Sequence, residues 1–277
     1  MDRLNYTEWK QLHQQALESL PGKSVMMFFS GGKDSSVALH FLQHAGTEYG
    51  FTFDTHAGIF PHHVYPSSER DKLDQYWKNR GIPINWHDVR ESDDRLASAL
   101  EEGMSPCLIC NTAKKRDLME YIKTQGIDMN SLVVVMSYSL WDIVSASIEH
   151  ILGAVFNAKE AAPAFRHKSA EERYLETFQR FYPMLRMPAG FSIFKPLIYY
   201  NDQDIRSVLK SEGIPVLSTT CDYKQYRPKR LFAQYYEHMN LQFDFTEVFN
   251  FAEKALNLPV ESHFTQMGGE HYLNKVI

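Results

Sequence analysis

The sequence feature that most constrains the fold is a short glycine loop between a buried strand and a helix. Residues 24–42 read SVMMFFSGGKDSSVALHFL, with an unbroken apolar run at Val25–Phe29 and helical apolar spacing over Ser36–His44. An apolar run of this length, followed by a glycine loop, is typical of a strand that is buried on both faces of a parallel sheet. The segment therefore predicts a strand–loop–helix unit of an α/β protein.

The strand–helix alternation continues along the chain. Further strands are predicted within 49–60 and at 84–89, 132–136 and 192–197, and further helices at 5–20, 67–80, 117–124, 141–156 and 202–213. Such alternation is typical of a doubly wound α/β fold with a parallel sheet and right-handed crossovers. We predict this fold for residues 1–223, with an insertion or lid at 159–188, and a helical C-terminal extension at 224–277.

Composition and charge narrow the classes of function. The 277 residues are 44% hydrophobic and 23% charged, which is ordinary for a globular protein. No apolar run approaches the ~18 residues of a membrane-spanning helix, and the first residues do not resemble a signal segment. We therefore expect a cytoplasmic protein without a membrane partner. The net charge of −5 weighs against a nucleic-acid substrate without excluding one.

The glycine loop has the chemistry of a phosphate site. The first turn of a helix presents unpaired N–H groups and partial positive charge, and glycine lets the backbone approach a phosphate closely. Lys33 adds a full positive charge, and hydroxyl donors come from Ser30, Ser35 and Ser36. The interval between glycine and lysine is too short for the G-x-x-x-x-G-K-[ST] loop. A phosphate loop of another kind is therefore favoured over a plain tight turn.

The three cysteines form a second signal. Cys107 and Cys110 have C-x-x-C spacing before a helix expected to begin at Asn111, and Cys221 lies far away in IPVLSTTCDYK. An odd number of cysteines argues against a disulfide framework. A redox dithiol needs only the pair, whereas a structural zinc site needs a fourth ligand, such as one of the 12 histidines. A [4Fe–4S] cluster on three thiolates would leave one iron open to bind sulfide. The residues alone leave these alternatives open.

The residues SGGKDS at 30–35 resemble the signature of the PP-loop ATP pyrophosphatases, which have an adenine nucleotide α-hydrolase-like (HUP, Rossmann-like) fold. Three further features sharpen the resemblance: the C-x-x-C followed by basic residues, the segment FKPL at 194–197, and the lone cysteine after Ile214-Pro215. Together they are most similar to the tRNA 2-thiocytidine synthetase type of [4Fe–4S]-dependent thiolases.

This resemblance implies ATP, Mg²⁺ and a [4Fe–4S] cluster as cofactors. The implied nucleotide-binding residues are Ser30, Gly31, Gly32, Lys33, Asp34 and Ser35. Asp34 would help to hold Mg²⁺, and Lys33 and the serines would hold pyrophosphate. The cluster ligands by position are Cys107, Cys110 and Cys221, which complete the implied catalytic set with Lys33 and Asp34.

The chain departs from the family pattern after the strand at 132–136. Relatives often have G-H-H-x-D-D there, whereas this chain has MSYSLWD at 136–142. Only Asp142 keeps the register, so Asp142 is a candidate for the nucleotide site and the histidine contacts are absent. The paired-cysteine zinc modules found at the ends of some relatives are also absent from the sequence.

The predicted function is that of an ATP-dependent sulfurtransferase that forms AMP and pyrophosphate. A carbonyl oxygen of the substrate would attack the α-phosphate, and sulfur would then displace AMP. Because the net charge is −5, a free nucleobase is slightly favoured over a tRNA base as the acceptor. The sulfur donor would be sulfide or a cysteine desulfurase partner, with a persulfide on Cys110 or Cys221 as a variant. A homodimer is the expected assembly.

Three other functions stay open on the sequence. These alternatives are a tRNA 2-thiolation enzyme proper, a PP-loop ligase or amidating enzyme without sulfur chemistry, and a non-catalytic cluster-binding sensor. Weaker site candidates are the histidine pair and two basic groups: His62, His63, Lys114, Lys115, Arg116, Lys224, Arg227, Lys229 and Arg230. The basic groups adjoin the cysteines and would give them a positive lining, although a solvated charged surface is the alternative.

Overall fold

A six-stranded sheet forms the centre of the computed structural model, which describes residues 4–60, 65–155, 170–187, 190–219, 221–223, 226 and 228–267. The strands are β1 (Ser24–Phe28), β2 (Phe53–Ile59), β3 (Ile84–Asp88), β4 (Leu132–Val135), β5 (Met184–Arg186) and β6 (Ser192–Phe194). Their order across the sheet is β3-β2-β1-β4-β6-β5, with β5 antiparallel to β6 and every other pair parallel. The predicted doubly wound α/β fold is confirmed, with one antiparallel edge strand added.

Helices cover both faces of this sheet. Those before β4 are α1 (Tyr6–Leu12), α2 (Gln14–Glu18), α3 (Lys33–Tyr49), α4 (Ser67–Lys78), α5 (Asp94–Glu101) and α6 (Pro106–Thr124). Those after β4 are α7 (Leu140–Val155), α8 (Ala170–Phe178), α9 (Asp202–Glu212), α10 (Pro228–His238), α11 (Phe245–Ala255) and α12 (Glu261–Thr265). Among the described residues, no helix combines the length and apolar character needed to cross a membrane.

The central strands alternate their side chains between two separate cores. Val25 and Met27 of β1 join one apolar cluster, whereas Met26 joins the other. The first cluster includes Trp9, Phe41 and Trp77, and the second includes Phe178, Phe181 and Phe264. Successive side chains of a strand point to opposite faces, so an unbroken apolar run is what a strand covered by helices on both faces requires.

The strand order creates a crevice at the carboxyl edge of the sheet. The chain runs from β1 outward to β2 and β3, and then returns to place β4 on the other side of β1. The connections after β1 and β4 therefore leave in opposite directions. Open α/β sheets bind their ligands at such a switch point.

Several boundaries differ from the sequence-based expectation. The helix expected at 5–20 is divided at His13, whose ring lies 2.9 Å from the carbonyl oxygen of Pro196. Helix α5 was not predicted, and β5 lies in the segment expected to be an insertion or lid. Helix α8 lies in the same segment, and residues 159–169 and 188 of it lie outside the described residues. Helix α6 begins at Pro106, so Cys107 and Cys110 lie within the helix rather than before it.

The helices after residue 228 pack on the same cores as the sheet. Ala252, Leu258 and Phe264 are buried in the cluster that also contains Met26 and Val134. The Tyr236 ring of α10 lies edge-on to the Trp141 ring of α7, with 5.2 Å between centroids. The division at residue 223 stays a prediction.

Candidate active site

The glycine loop is held in shape by hydrogen bonds within its own residues. The backbone N–H of Ser30 donates to Ser35 Oγ at 3.2 Å, and Ser35 Oγ in turn donates to the carbonyl oxygen of Gly32 at 3.0 Å. Gly32 is the N-cap of α3, in an extended conformation. The first turn of α3 therefore opens at the carboxyl end of β1 with a fixed loop in front of its N–H groups, as a phosphate site requires.

Gly31 is the position in this loop where only glycine fits. Its φ of 68° lies in the left-handed region, and a Cβ built on it would lie 2.7 Å from Leu217 Cδ1. The N–H of Leu217 donates to the carbonyl oxygen of Gly31 at 2.8 Å. Ser218 is fastened in turn to α4, because its N–H and hydroxyl donate to the two carboxylate oxygens of Glu69, at 2.9 and 2.5 Å. The loop and the segment leading to Cys221 are therefore tied together.

The charged residues of the loop form an ion-paired group. The Lys33 ammonium lies 2.6 Å from Asp34 Oδ1 and is also paired with Asp202, the first residue of α9. Asp202 is almost fully buried and accepts from Arg206 Nε at 2.5 Å. Sequence reasoning missed Asp202, because a residue 169 positions from the lysine carries no local signal of this contact.

Tyr65 connects the loop to the cysteine-bearing helix. Its hydroxyl donates to the carbonyl oxygen of Ser30 at 3.0 Å, and its buried ring lies 4.9 Å from the Lys114 ammonium of α6. The Lys114 side chain also packs against Gly58 of β2. Lys114 therefore lies near the carboxyl end of β2, and its predicted role beside the cysteines stays a prediction.

The cysteines lie at this same edge. Cys110 is buried against Phe60, Val89 and Leu96, and the first two of these residues directly follow β2 and β3. Cys107 Sγ donates to the carbonyl oxygen of Tyr223 at 3.4 Å, and Tyr223 is two residues beyond Cys221. The fold therefore brings the C-x-x-C helix next to the segment that carries the third cysteine. Cys107 and Cys221 are partly exposed.

The fit of a cluster to these thiols depends on the donors around them. Over the described part of the chain, no three His, Cys, Asp or Glu side chains are already gathered as a set of metal ligands. Two observations nevertheless suit a cluster: the three cysteines, the only thiols of the chain, lie on segments that contact each other, and the buried Ser105 hydroxyl before α6 has no hydrogen-bond partner among the described residues. Thiolates are the normal ligands of iron–sulfur clusters. The donor set fits the group in its chemistry.

The connection after β4 forms the opposite wall of the crevice. Asp142 Oδ2 accepts from the N–H and the hydroxyl of Ser139, both at 2.8 Å, which caps the start of α7. Tyr138 also lies in this connection, and the Arg180 guanidinium is 4.9 Å from the centre of its ring and 3.2 Å from Glu176. Burial raises the pKa of Glu149 to about 7. The structure gives Asp142 a capping role, and its contact with nucleotide stays a prediction.

The remaining candidates fall into two groups. Arg116 lies on the surface, where it contacts Asp117 at 2.9 Å and Glu91 at 3.7 Å, as a solvated charged face would. Lys115 is half-buried and Arg230 is exposed. His62, His63, Lys224 and Arg227, and the side chain of Lys229, lie outside the described residues, so their predicted roles stay predictions.

The sheet order and the loop between β1 and α3 give the chain an adenine nucleotide α-hydrolase-like fold, and the predicted resemblance to the PP-loop ATP pyrophosphatases is confirmed as a resemblance. The sequence is 24% identical over 207 residues to the tRNA-cytidine(32) 2-sulfurtransferase of Xanthomonas euvesicatoria pv. vesicatoria (strain 85-10). The corresponding enzyme of Xanthomonas axonopodis pv. citri (strain 306) is 23% identical over 207 residues.

These similarities have definite extents. Each alignment covers 71% of this chain and 56% of the relative, so the chain spans about half the length of the curated relatives it matches. The U34-tRNA thiolase NcsA from Methanococcus maripaludis, solved with its [4Fe-4S] cluster, superposes with a TM-score of 0.53 over 98% of this chain and 82% of that chain. At 15% identity this likeness supports the fold. No profile of a known protein family matches the chain.

Proposed function

We propose that the protein is an ATP-dependent sulfurtransferase that replaces a carbonyl oxygen of a nucleobase with sulfur. The observation that carries the proposal is the joining of two sites at one sheet edge. The glycine loop contacts Leu217, four residues before Cys221, while Cys107 contacts Tyr223, two residues after it. A phosphate site and the thiols therefore border one crevice.

The phosphate half of the reaction rests on the loop. The N–H groups of the first turn of α3, the serine hydroxyls and Lys33 bind the β- and γ-phosphates of ATP, and Asp34 contributes a carboxylate to Mg²⁺. The substrate carbonyl oxygen attacks the α-phosphorus, and the bond between the α-phosphorus and the bridging oxygen breaks. Pyrophosphate leaves within the loop, whose dipoles stabilise the charge that develops on it. The carbonyl oxygen then carries AMP, a good leaving group.

The sulfur half rests on Cys107, Cys110 and Cys221, the proposed ligands of a [4Fe–4S] cluster. When bound, a cluster with only three protein ligands would hold sulfide taken from the sulfur donor and present it to the activated carbon. The carbon–sulfur bond forms as the carbon–oxygen bond breaks, and AMP leaves with the oxygen. Sulfide enters at the oxidation level of the thiocarbonyl product, so the step needs no electron donor. Cys107 and Cys221 are half-buried, and Cys110 is buried.

We propose a tRNA base as the first acceptor to test. The supporting observation is that the curated relatives are named as tRNA enzymes. The net charge of −5 favours the second acceptor, a free nucleobase. Both have the ring carbonyl that the chemistry requires. An assay that offers each acceptor with ATP, Mg²⁺ and sulfide, and measures AMP and thiocarbonyl product, separates them.

The first experiment is anaerobic purification followed by iron and acid-labile sulfide assays and an absorption spectrum. We expect about four irons per chain and a broad band near ~400 nm, both lost in Cys107→Ser and in Cys221→Ser. Tyr223→Phe is the matched control, because Cys107 bonds the backbone oxygen of Tyr223 and not its side chain. The control should keep its iron.

Three results would contradict parts of the proposal. A reconstituted protein that holds zinc or no metal would exclude the cluster and leave persulfide chemistry. A Cys107→Ala variant with full turnover would instead favour a PP-loop ligase or amidating enzyme, since that chemistry does not use the thiols. Binding of ATP without pyrophosphate release, whichever acceptor is offered, would favour the non-catalytic sensor.

A further inference from the structure

The lysine of the glycine loop is held by a residue from a distant part of the chain. Lys33 is paired with Asp34 beside it and with Asp202 of α9. The side chain of Asp202 is only 3% exposed, whereas those of Lys33 and Asp34 are 21% and 18% exposed. A carboxylate this deeply buried is costly unless cations and hydrogen bonds compensate it. Its position therefore depends on the cations around it.

The fold fixes Asp202 from three directions. It is the first residue of α9, where the helix dipole favours a negative charge. The turn before it is locked by a reciprocal capping box between Asn201 and Asp204. The N–H of Leu140 donates to the carbonyl oxygen of Tyr200 at 3.0 Å and fixes the turn to the start of α7. Asp202 is thus a rigid anchor, whereas Lys33 has a flexible side chain.

A second cation extends this contact into the C-terminal helices. Arg206 Nε lies 2.5 Å from Asp202 Oδ2, and Arg206 Nη2 lies 3.1 Å from Glu237 of α10. The chain of ion pairs runs from Lys33 through Asp202 and Arg206 to Glu237. Because Arg206 and Glu237 are both more than half exposed, their pair is weak, and Asp202 is the strong element of the chain.

We propose that Asp202 is a positioning residue that sets the Lys33 ammonium at the phosphate loop. The inference deepens the proposed function, on whose phosphate half it rests. With Asp202 present, the ammonium is held between two carboxylates from different elements. Without the charge of Asp202, Asp34 is the one of these two carboxylates that still holds the ammonium. Phosphate binding must then order the lysine side chain, at a cost of about 0.5–1.5 kcal/mol for one rotamer-rich side chain.

The test is a double-mutant cycle on the binding of inorganic pyrophosphate, measured by calorimetry with the full chain and Mg²⁺. Asp202→Asn should weaken binding by about two- to twelvefold, the range that follows from that ordering cost. In a Lys33→Met background, the same substitution should change affinity by less than about twofold. Asp202→Glu should recover part of the loss. Glu212→Gln is the matched control: it is an exposed carboxylate at the far end of α9, facing His40 at 3.8 Å, and should leave pyrophosphate affinity within about twofold.

The outcomes distinguish failure of the role proposed for Asp202 from failure of the proposed function. Equal weakening by Asp202→Asn with and without Lys33 would assign Asp202 a structural role and overturn the inference. Tighter pyrophosphate binding in Asp202→Asn would also overturn it, because Asp202 would then compete with phosphate for the lysine. If Asp202→Asn does not fold, Asp202→Glu carries the cycle. A native chain that binds no pyrophosphate would overturn the phosphate half of the proposed function together with the inference, whereas pyrophosphate binding indifferent to Asp202 would remove only the inference.

Discussion

Two helices, α3 and α6, begin at the same edge of the sheet, and each carries a motif in its first turns. At α3 the loop is held by its own serines, by Tyr65, by the N–H of Leu217 and by two carboxylates on Lys33. At α6 the side-chain hydroxyl of Ser105, the residue before the helix, is buried without a hydrogen-bond partner among the described residues, and Cys107 contacts the carbonyl of Tyr223.

This difference in internal contacts indicates whether each site is organised before its ligand binds. The α3 loop is completed by contacts within the protein, so it is organised before its ligand arrives and gains affinity from that preorganisation. The fold brings Cys107 of α6 beside the segment that carries the third cysteine, but the described residues hold no gathered set of metal ligands, so under the proposed function the cluster would complete their arrangement. Metal binding commonly contributes to the folding of such sites. Substitutions at α3 should therefore change ligand affinity, and those at α6 should change local stability.

The largest effect is expected at Gly31, where a side chain breaks the preorganised loop. Gly31→Ala forces an alanine into a left-handed conformation and places its Cβ 2.7 Å from Leu217 Cδ1. Because the left-handed backbone is strained and either Leu217 or the loop must shift, we expect Mg²⁺·ATP affinity to fall about 100-fold, or ~2.7 kcal/mol. Calorimetric titration of the purified variant measures the change.

Gly22→Ala is the matched control for backbone strain. Gly22 has a φ of 74°, and its Cβ would meet nothing within 4 Å. The control should lose stability by about 1 kcal/mol, as a left-handed alanine does, and keep its ATP affinity. If both variants lose affinity alike, the close approach of Leu217 is irrelevant and the described preorganisation of α3 is wrong. Iron content of the reconstituted protein should change little in either variant.

A smaller effect is expected at Asp117, which anchors α6 beyond the cysteines. The buried Asp117 carboxylate accepts from the N–H of Arg90 at 2.7 Å and from Arg116 Nε at 2.9 Å. Burial alone would raise the pKa of Asp117, but these hydrogen bonds outweigh it and hold the pKa below its usual value. Asp117→Asn should lower the free energy of unfolding by about 1.5–3 kcal/mol at pH 7, the contribution of a hydrogen-bonded charge.

The pH dependence of that effect has a definite sign. A carboxylate with a lowered folded-state pKa stabilises the fold above its unfolded value, near ~3.9, and loses this contribution as the pH falls through the folded value. Urea unfolding at pH 7 and at pH 3 should therefore show a difference between native and variant chains that shrinks in acid. Glu120 is an exposed partner of Arg90, so Glu120→Gln should lower the free energy of unfolding far less. A loss of stability independent of pH would show that packing, not charge, anchors α6.

The sequence predicted those parts of the molecule that depend on neighbours along the chain. The run Val25–Phe29 and the glycines after it were sufficient for β1, the loop and α3, because strand burial and helix starts are local signals. The start of α6 was missed although Ser105 and Pro106 form a recognised start signal, since Pro is favoured in the first turn. The Ser92-Asp93-Asp94 run before α5 was a similar missed signal.

Contacts between distant residues could not be predicted in this way. The pairing of Lys33 with Asp202 and the packing of Leu217 on Gly31 depend on the sheet order, which places α9 and the segment after it beside the loop. No periodicity or motif specifies that order. The capping role of Asp142 was local, and Ser139 three residues earlier was its signal.

The smallest effect is expected at Tyr65, which tests whether the two helices are coupled. Tyr65→Phe keeps the ring that lies over Lys114 of α6 and removes the hydroxyl that donates to the carbonyl oxygen of Ser30. Loss of one neutral hydrogen bond costs about 1 kcal/mol, so ATP affinity should fall about fivefold with iron content unchanged. Tyr6→Phe is the matched control, because the Tyr6 hydroxyl donates to Glu48 at the far end of α3. This variant should keep its ATP affinity. If Tyr65→Phe also lowered iron content, the two sites would be coupled through Tyr65, and the contrast between a preorganised α3 and a ligand-dependent α6 would have to be abandoned.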